Sequence, residues 1–573
     1  MKILQYILLP LFCLLALNSC KKDLLNIKPS IITDANVWKD PSLIKAYITN
    51  LYSRSALSGL YAGLGEIPNL YGSDEGMCVY TFVPNPIGHG DLKNTGGVLE
   101  YWDYELIRDI NVLIQKIPTT PLSDDLKNQY GGEARFLRAY AYFEMVKRYG
   151  GVPLVKEAQD VNAGDALYVP RNKEQECYDF IEEQCDSAAA MLPEAFAGSD
   201  LGRSSKYAAL ALKSRAMLYA GSIAKYGTVQ LDGVVGIPAG DANAYWQASY
   251  DASKAIIDSK KFELYNKFPD DKAKNYQNIF LEKNNSEIIF AKKYISLIAG
   301  HDFDDFYETN SNYTFWGCAF DPYLELIDAY DNKDGSSGKI DWANTTGYMP
   351  DIVKNKDPRF HATILYNGMP WVQDTVTIWS GIYVNGNLLN DESQQYQGMD
   401  EVGRDQKTVQ GSRTGFLMKK FLDPKRHFPK PGESDQDWIV YRYGETLLNF
   451  AEAAFELGKT TEALDAINEI RDRAGIAPLG SVTMDQIRHE RRIELVFEMH
   501  RFYDLRRWRT AVAELNGDFH GALSYFQWDI KKFSFSVVSA DGYTRVFRPQ
   551  YYYLPITPDR INNNPKLVEN PNY

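Results

Sequence analysis

The sequence predicts a mainly α protein, a tetratricopeptide-like helical repeat scaffold carrying large irregular, loop-rich insertions and few short strands. Three observations predict it. Residues 123–259 and 441–507 show apolar or small residues at i, i+3, i+4, the stripe of core-facing helices. Ala451, Gly458, Ala463 and Ile467 have the small-residue spacing of a tetratricopeptide helix pair. Between residues 259 and 437 periodicity is lost, and Gly, Asn, Asp and aromatic side chains dominate.

The elements follow in order. Met1-Lys2, an apolar run over residues 3–17 and Asn18-Ser19-Cys20 have the three-part plan of an export signal, too short to span a bilayer. Leu17-Asn18-Ser19-Cys20 resembles a bacterial lipoprotein box, in which Cys20 takes lipid and becomes the new N-terminus. The alternative is an ordinary signal peptide with an incidental cysteine. Ser123 can cap a helix opening with Asp124-Asp125, with its stripe at Leu126, Tyr130, Ala134, Leu137, Ala141 and Met145 and its end at Gly150-Gly151-Val152-Pro153. Asn172 with Gln175 offers a capping box for a helix over 174–192. Helices are also expected over 204–225, 242–259, 441–457 and 461–474. Thr483 with Gln486 caps another, running through Arg507. Residues 287–291 and 375–379 read as strands. The domain plan is a signal at 1–19, an N-terminal helical region at 20–258 and a C-terminal region at 259–573. The last divides into an aromatic insertion (259–437), repeat-like helices (438–509) and an irregular end (510–573).

Composition excludes several functions. With 62 Lys+Arg against 75 Asp+Glu, the 573-residue chain has net charge -13 and lacks the basic footprint of a nucleic-acid binder. No run of 18 apolar residues follows the signal, so a soluble body is expected. Cys177 and Cys185 are eight apart on one helix, about 12 Å along its axis, too far to bridge. These two, with Cys78 and Cys318, read as buried small hydrophobes. His489-Glu490 lacks the second His of a zinc protease motif, and no Gly-x-Ser-x-Gly elbow occurs. No cofactor is expected. Asn332, Asp334, Gly335 and Asp341 read as a Gly-Asp turn, with a calcium-stabilised loop as the weaker alternative. The dense Arg and Glu run over 490–509 reads as internal ion pairs rather than a ligand grip.

Several blocks resemble the SusD/RagB-like outer-membrane lipoproteins of Bacteroidetes. They are Gly132-Glu133-Ala134-Arg135-Phe136-Leu137-Arg138-Ala139-Tyr140 through Tyr149-Gly150-Gly151-Val152-Pro153, then Gly202-Arg203-Ser204-Ser205-Lys206-Tyr207 onward to Arg215. Asp357-Pro358-Arg359-Phe360, Tyr441-Arg442-Tyr443-Gly444-Glu445 and Ile470-Arg471-Asp472-Arg473-Ala474-Gly475 follow in the family's order. Glu490-Arg491-Arg492 through Tyr503-Asp504-Leu505-Arg506-Arg507-Trp508 and the ending Asn570-Pro571-Asn572-Tyr573 complete the set. Met499-His500 stands where a Gly-containing turn is usual. The resemblance implies about four tetratricopeptide-like helix pairs packed on an irregular region. It also implies a surface lipoprotein, not an enzyme, that binds oligosaccharides, or peptides in the RagB branch. Such a protein hands its ligand to a SusC-type TonB-dependent transporter.

Glycan binding needs flat aromatic faces and planar polar side chains. The resemblance places the ligand in loops, and Tyr313-Thr314-Phe315-Trp316 is the densest aromatic cluster there. Trp342, Trp371 and Trp379 share its insertion, and Ser73-Asp74-Glu75 and Tyr80-Thr81-Phe82 lie in an N-terminal loop. The expected ligand contacts are Trp316 and Tyr313, with Phe315, Trp342, Trp379 and Tyr80 beside them and Asp74 as polar partner. Trp102 is expected in the core.

Overall fold

The computed structural model describes residues 34–57, 72–80, 82–390, 396–401 and 411–573. The segment expected to be an export signal, Cys20 and Thr81 lie outside the described residues. Eight helices stack as four successive neighbour pairs. The first pair is α1 (Pro41–Arg54) and α2 (Tyr104–Lys116), and the second is α3 (Asp124–Tyr149) and α4 (Glu174–Met191). The third is α5 (Lys206–Tyr226) and α6 (Ala242–Ser259). After α7 (Lys272–Ile279), α8 (Phe303–Tyr307) and α9 (Pro358–Thr363) comes the fourth pair, α10 (Tyr443–Glu456) and α11 (Thr460–Ala474), with α10 packed on α6.

Local chemistry starts and stops these helices. The Ser123 hydroxyl accepts from Leu126 N, and Gly150 ends α3 at φ 75°. The start of α4 corrects the expected capping pair by one position. Glu176, not Gln175, reaches back, accepting from Lys173 N at 3.2 Å and from the Asn172 amide at 2.8 Å, while Gln175 turns to Asp241. Small residues let α5, α6 and α10 approach closely, and a buried polar knot registers them. Ser214 and Ser253 hydroxyls lie 2.7 Å apart, and Asn449 donates to Ser214 at 3.1 Å.

The helix expected over 483–507 is two helices, α12 (Met484–Glu494) and α13 (Arg501–Arg507). Its cap is as expected: Thr483 Oγ1 accepts from Gln486 N and Gln486 Oε1 accepts from Thr483 N. The break comes where Phe497 and Met499 adopt φ of 63° and 64°, a left-handed turn built without glycine. Buried partners hold it, since Phe497 N donates to Glu75 and the Phe497 ring packs edge-on against Phe320.

The insertions form a second layer joined by short strands. β1 (Gly76–Cys78) pairs antiparallel with β3 (Phe320–Pro322), and β2 (Ile288–Lys292) with β4 (Trp438–Arg442), which takes the first residues expected of a helix at 441. Of the second strand-like run only Thr375 is strand, in Asp374–Thr375. The end of the chain departs from its irregular reading, because His520–Gln527 and Lys532–Ser539 form a hairpin at the centre of a five-stranded sheet. Apolar and polar residues alternate from Lys532 to Val537 of its second strand, a period hidden by the surrounding loop-like composition.

Beneath the insertions lies an ion-pair core. Arg442 reaches Glu287, Glu494 and Glu498, each at 2.7 Å, and Arg473 pairs with Glu287 and Glu494. Arg359 binds Asp357, Glu490 and Glu494, Arg471 binds Glu490, and Lys420 binds Glu498. Cations and carboxylates balance at five each, and all are buried. The Arg-rich run expected to form internal ion pairs does so. Cys177, Cys185 and Cys318 are buried thiols as expected, whereas Cys78 is half-buried.

Candidate ligand-binding site

The β1–β3 pairing brings together two loops far apart in the chain. Val79 N continues the ladder to Ala319 O at 3.3 Å, and the Tyr80 hydroxyl donates to Gly317 O, 237 residues away, at 2.6 Å. Gly317 is required there: its φ is 77°, and a Cβ would press on the Tyr313 side chain. The loop of residues 308–317 is held from below by buried carboxylates. Asp305 accepts from Phe315 N at 2.9 Å, Asp400 from Ser311 N at 2.9 Å, and Glu308 from Thr309 N at 2.8 Å and Trp371 Nε1 at 2.5 Å. Burial pushes the Glu308 carboxyl up to about 8, so it is a neutral acid at pH 7.

On this support five rings meet. Phe306 lies parallel to Trp316 with centroids 5.2 Å apart, Tyr80 and Phe315 meet Trp316 edge-on at 5.6 and 5.4 Å, and Phe82 stacks on Tyr80 at 5.4 Å. Phe306 and Tyr80 are buried, Trp316 is half-buried, and Phe82 and Phe315 are 59% and 64% exposed. The result is an aromatic platform with a rigid underside and two open rings.

Beside it is a cavity of about 250 Å³ whose wall includes Tyr80, Asn85, His89, Arg413, Asp541 and Tyr543. His89 stacks on Tyr543 at 3.8 Å, and the Asn85 amide donates to the Tyr543 hydroxyl at 3.2 Å. Asp541 is taken by the Tyr323 hydroxyl at 2.7 Å, and burial raises its pKa against the pull of Arg545. The buried Nε of Arg413 has no hydrogen-bond partner among the described residues. Cys78 is also on this wall, its thiol pushed up to about 12 by burial, so it is a protonated filler and not a nucleophile.

The structure sorts the expected site residues. Trp316, Phe315 and Tyr80 converge, with Tyr80 as a buried support, and Tyr313 is half-buried against Gly317. Asp74 and Trp342 are corrections. Asp74 is 3% exposed between Arg501 (2.8 Å) and Arg492 (2.9 Å); burial opposes its ionisation, but the two guanidiniums hold its pKa well below the usual carboxylate range. Buried in these ion pairs, the carboxylate is not presented to a ligand. Trp342 is 3% exposed, wedged between Phe416 and Phe535, with its Nε1 donating to Asp328 at 3.0 Å. Trp371 is likewise buried on Glu308. Trp379 is half-buried and makes no ring contact with the platform among the described residues. Trp102 is half-buried rather than core, with Arg560 over its ring. Phe82 comes from the N-terminal loop noted in the sequence, whereas Arg413 and Tyr543 join the site through the tertiary fold, with no local signal that marks them as contacts. The turn at 332–338 closes on its own hydrogen bonds, with Asp334 accepting from Ser336 N at 2.9 Å.

A stack of helix pairs holding an aromatic platform and a polar cavity in its insertions defines a repeat-scaffold binding protein. Comparison with known proteins then gives the family. Residues 286–573 match the SusD family, residues 92–218 match a family described as starch-binding associating with the outer membrane, and the chain belongs to the SusD family. It is similar to a SusD-like protein of Formosa agariphila, 26% identical over 540 residues that cover 88% of this chain and 91% of that one. A SusD-like protein of Bacteroides ovatus is 24% identical, covering 82% and 79%. Among solved structures, a SusD-like protein from Bacteroides fragilis superposes with TM-score 0.74 at 28% identity, over 94% of this chain and 99% of that one. A laminarin-binding SusD-like protein superposes with TM-score 0.62 at 21% identity, over 94% and 100%. No helix of the described residues is long and apolar enough to cross a membrane.

Proposed function

We propose that this chain is a non-enzymatic, cell-surface glycan-binding lipoprotein, anchored through Cys20, that captures oligosaccharides and passes them to a SusC-type TonB-dependent transporter. The observation that carries the glycan step is the platform of Phe82, Phe315 and Trp316 beside a cavity rich in planar polar groups. Sugar rings offer flat C–H faces to aromatic carbons and hydroxyls to amide, phenol and guanidinium groups, and both kinds of partner meet here. Laminarin binding by a protein of the same fold agrees with this reading. The lipid anchor and the transporter rest on the lipoprotein-like box and on family membership.

Calorimetric titration of residues 21–573, which keep every described element, against a panel of neutral and acidic polysaccharides tests the reading. The expected result is micromolar-to-millimolar binding of one glycan, weakened about tenfold by Trp316→Ala, or ~1.4 kcal/mol. Binding that ignores Trp316→Ala together with Phe82→Ala would move the site elsewhere. Binding of peptides alone would replace the ligand class.

A further inference from the structure

We propose that a second cavity, between α7, α9 and residues 419–425, is a subsite for the anionic group of an acidic oligosaccharide, a carboxylate or a sulfate ester. The inference rests on the glycan-capture reading and names the chemistry of its ligand.

The cavity measures about 690 Å³, large enough for sugar residues rather than a lone ion, and Lys274, Gln277, His361, Lys419, Asp423 and Lys425 are on its wall. Lys419 is the anomaly. It is only 8% exposed, yet its ammonium has one hydrogen-bond acceptor, the His361 carbonyl at 2.8 Å, and a view of the Trp371 ring at 5.5 Å. The other two buried lysines of this layer are satisfied. Lys356 donates to three carbonyls, of Ile327, Tyr330 and Gly338, and Lys420 donates to Glu498, Val496 O and Tyr276. A buried ammonium needs a counter-charge or a full set of acceptors. Among the described residues Lys419 has that single acceptor and no ion pair, only the longer-range pull of Asp271, and it is on the wall of a cavity.

The carboxylates of the wall are already engaged. Asp271 caps α7 through Lys274 N at 3.0 Å, and Glu282 takes Lys267 at 3.0 Å and the Tyr265 hydroxyl at 2.7 Å. Asp423 accepts from Lys425 N at 3.0 Å and faces Arg426 at 3.8 Å. Lys283, also on the wall, is paired with Asp435 at 3.1 Å. Lys274, Lys419 and Lys425 form no ion pair among the described residues, and all three are on this wall, with the Lys274 ammonium over the Phe268 ring at 4.0 Å. Burial, helped by Lys333 and Lys419, lowers His361 to about 4, so it is neutral at pH 7. Burial lowers Lys419 to about 8 against the pull of Asp271; a bound anion opposes that lowering. Gln277 adds a buried amide nitrogen with no partner among the described residues. The wall is tied to the aromatic loop, since Asn312 donates to Arg426 O at 3.2 Å and accepts from Phe428 N at 3.1 Å.

The test uses residues 21–573 and matched ligand pairs: oligogalacturonate against its neutral methyl ester, and a sulfated carrageenan oligosaccharide against its desulfated form. One charged member is expected to bind at least tenfold more tightly than its neutral partner, with an advantage that shrinks as NaCl rises. Which pair responds separates carboxylate from sulfate. Lys419→Met, of similar length and uncharged, should abolish the advantage, bringing the charged member down to the affinity of its neutral partner. The double variant Lys274→Gln/Lys425→Gln, at exposed positions, should reduce it severalfold if Lys419→Met fails to fold. Equal binding of charged and neutral members overturns the proposal, as does an advantage that survives the lysine variants or competition by inorganic sulfate at the oligosaccharide's own concentration. Neutral-glycan binding through Trp316 without any charge advantage sinks the subsite alone; no saccharide binding at all sinks the capture reading with it.

Discussion

Glu308 carries no ligand contact in the proposed site, yet it holds the aromatic loop by accepting from Thr309 N and Trp371 Nε1. Its folded pKa of about 8, raised by burial, lies above the ordinary 4.5. The folded state therefore holds a proton that the unfolded chain releases. That contribution is fully present below about 4.5 and is lost as pH rises to about 8. Urea unfolding should show wild-type stability falling between pH 5 and 8.5 by a few kcal/mol, about 1.4 for each pH unit that separates the folded from the unfolded value. Glu308→Gln, which keeps an acceptor for Trp371 Nε1, should reduce the slope, most clearly between pH 7 and 8, and leave below pH 7 the part due to Glu75, which burial raises to about 7; an unchanged slope would assign the proton elsewhere. At this scale the sequence was half legible. Trp316 and Phe315 stand out because aromatic density in a loop is a local property. The fates of Asp74 and Trp342 were not legible, because Arg492, Arg501, Phe416 and Phe535 reach them only through the tertiary fold. Phe82 looks like its neighbours in the sequence, and only the structure shows which ring stays open.

Among elements, the helices were the legible part. Ser123 and Thr483 cap helices with groups three residues away, and Gly458 turns between two helices, so a short window contains the cause. The left-handed turn at Phe497 and Met499 was hidden, because its support comes from Glu75 and Phe320. The β1–β3 pairing was equally hidden, and it decides whether a site exists. A Cβ on Gly76 would fall inside contact distance of the Asp321 carbonyl and the Phe320 ring. Gly76→Ala should therefore separate the two strands, destabilising the protein by roughly 1–3 kcal/mol, the usual cost of overpacking. It should also weaken glycan binding severalfold, because Tyr80 and Phe82 lose their register with Trp316. The two effects are read separately, by thermal denaturation and by titration at a temperature where circular dichroism shows native helix. Full affinity in Gly76→Ala would mean that Trp316 and Phe315 bind without the N-terminal loop.

For the whole molecule, a stack of helix pairs touching only its neighbours would fray from its ends in steps. This chain is tied otherwise. The buried cluster of Arg442, Arg473, Arg359, Glu287, Glu494 and Glu498 joins β4, α11, α12 and the insertion, bridging positions up to 186 residues apart. Each member is satisfied only while the others stay in place, so the insertion and the fourth helix pair should melt together. Far-ultraviolet dichroism and tryptophan emission should accordingly give coincident urea transitions. Arg442→Met would leave Glu494 and Glu498 short of a partner in the interior and should cost about 3–5 kcal/mol, as removal of one member of a buried ion pair does. Lys254→Ala, which removes a pair on the exposed face of α6, should cost well under 1 kcal/mol. A small loss from Arg442→Met with transitions still coincident would mean that apolar packing, rather than the charge cluster, joins the two layers. The binding face would then owe its rigidity to the rings and not to the ions beneath them.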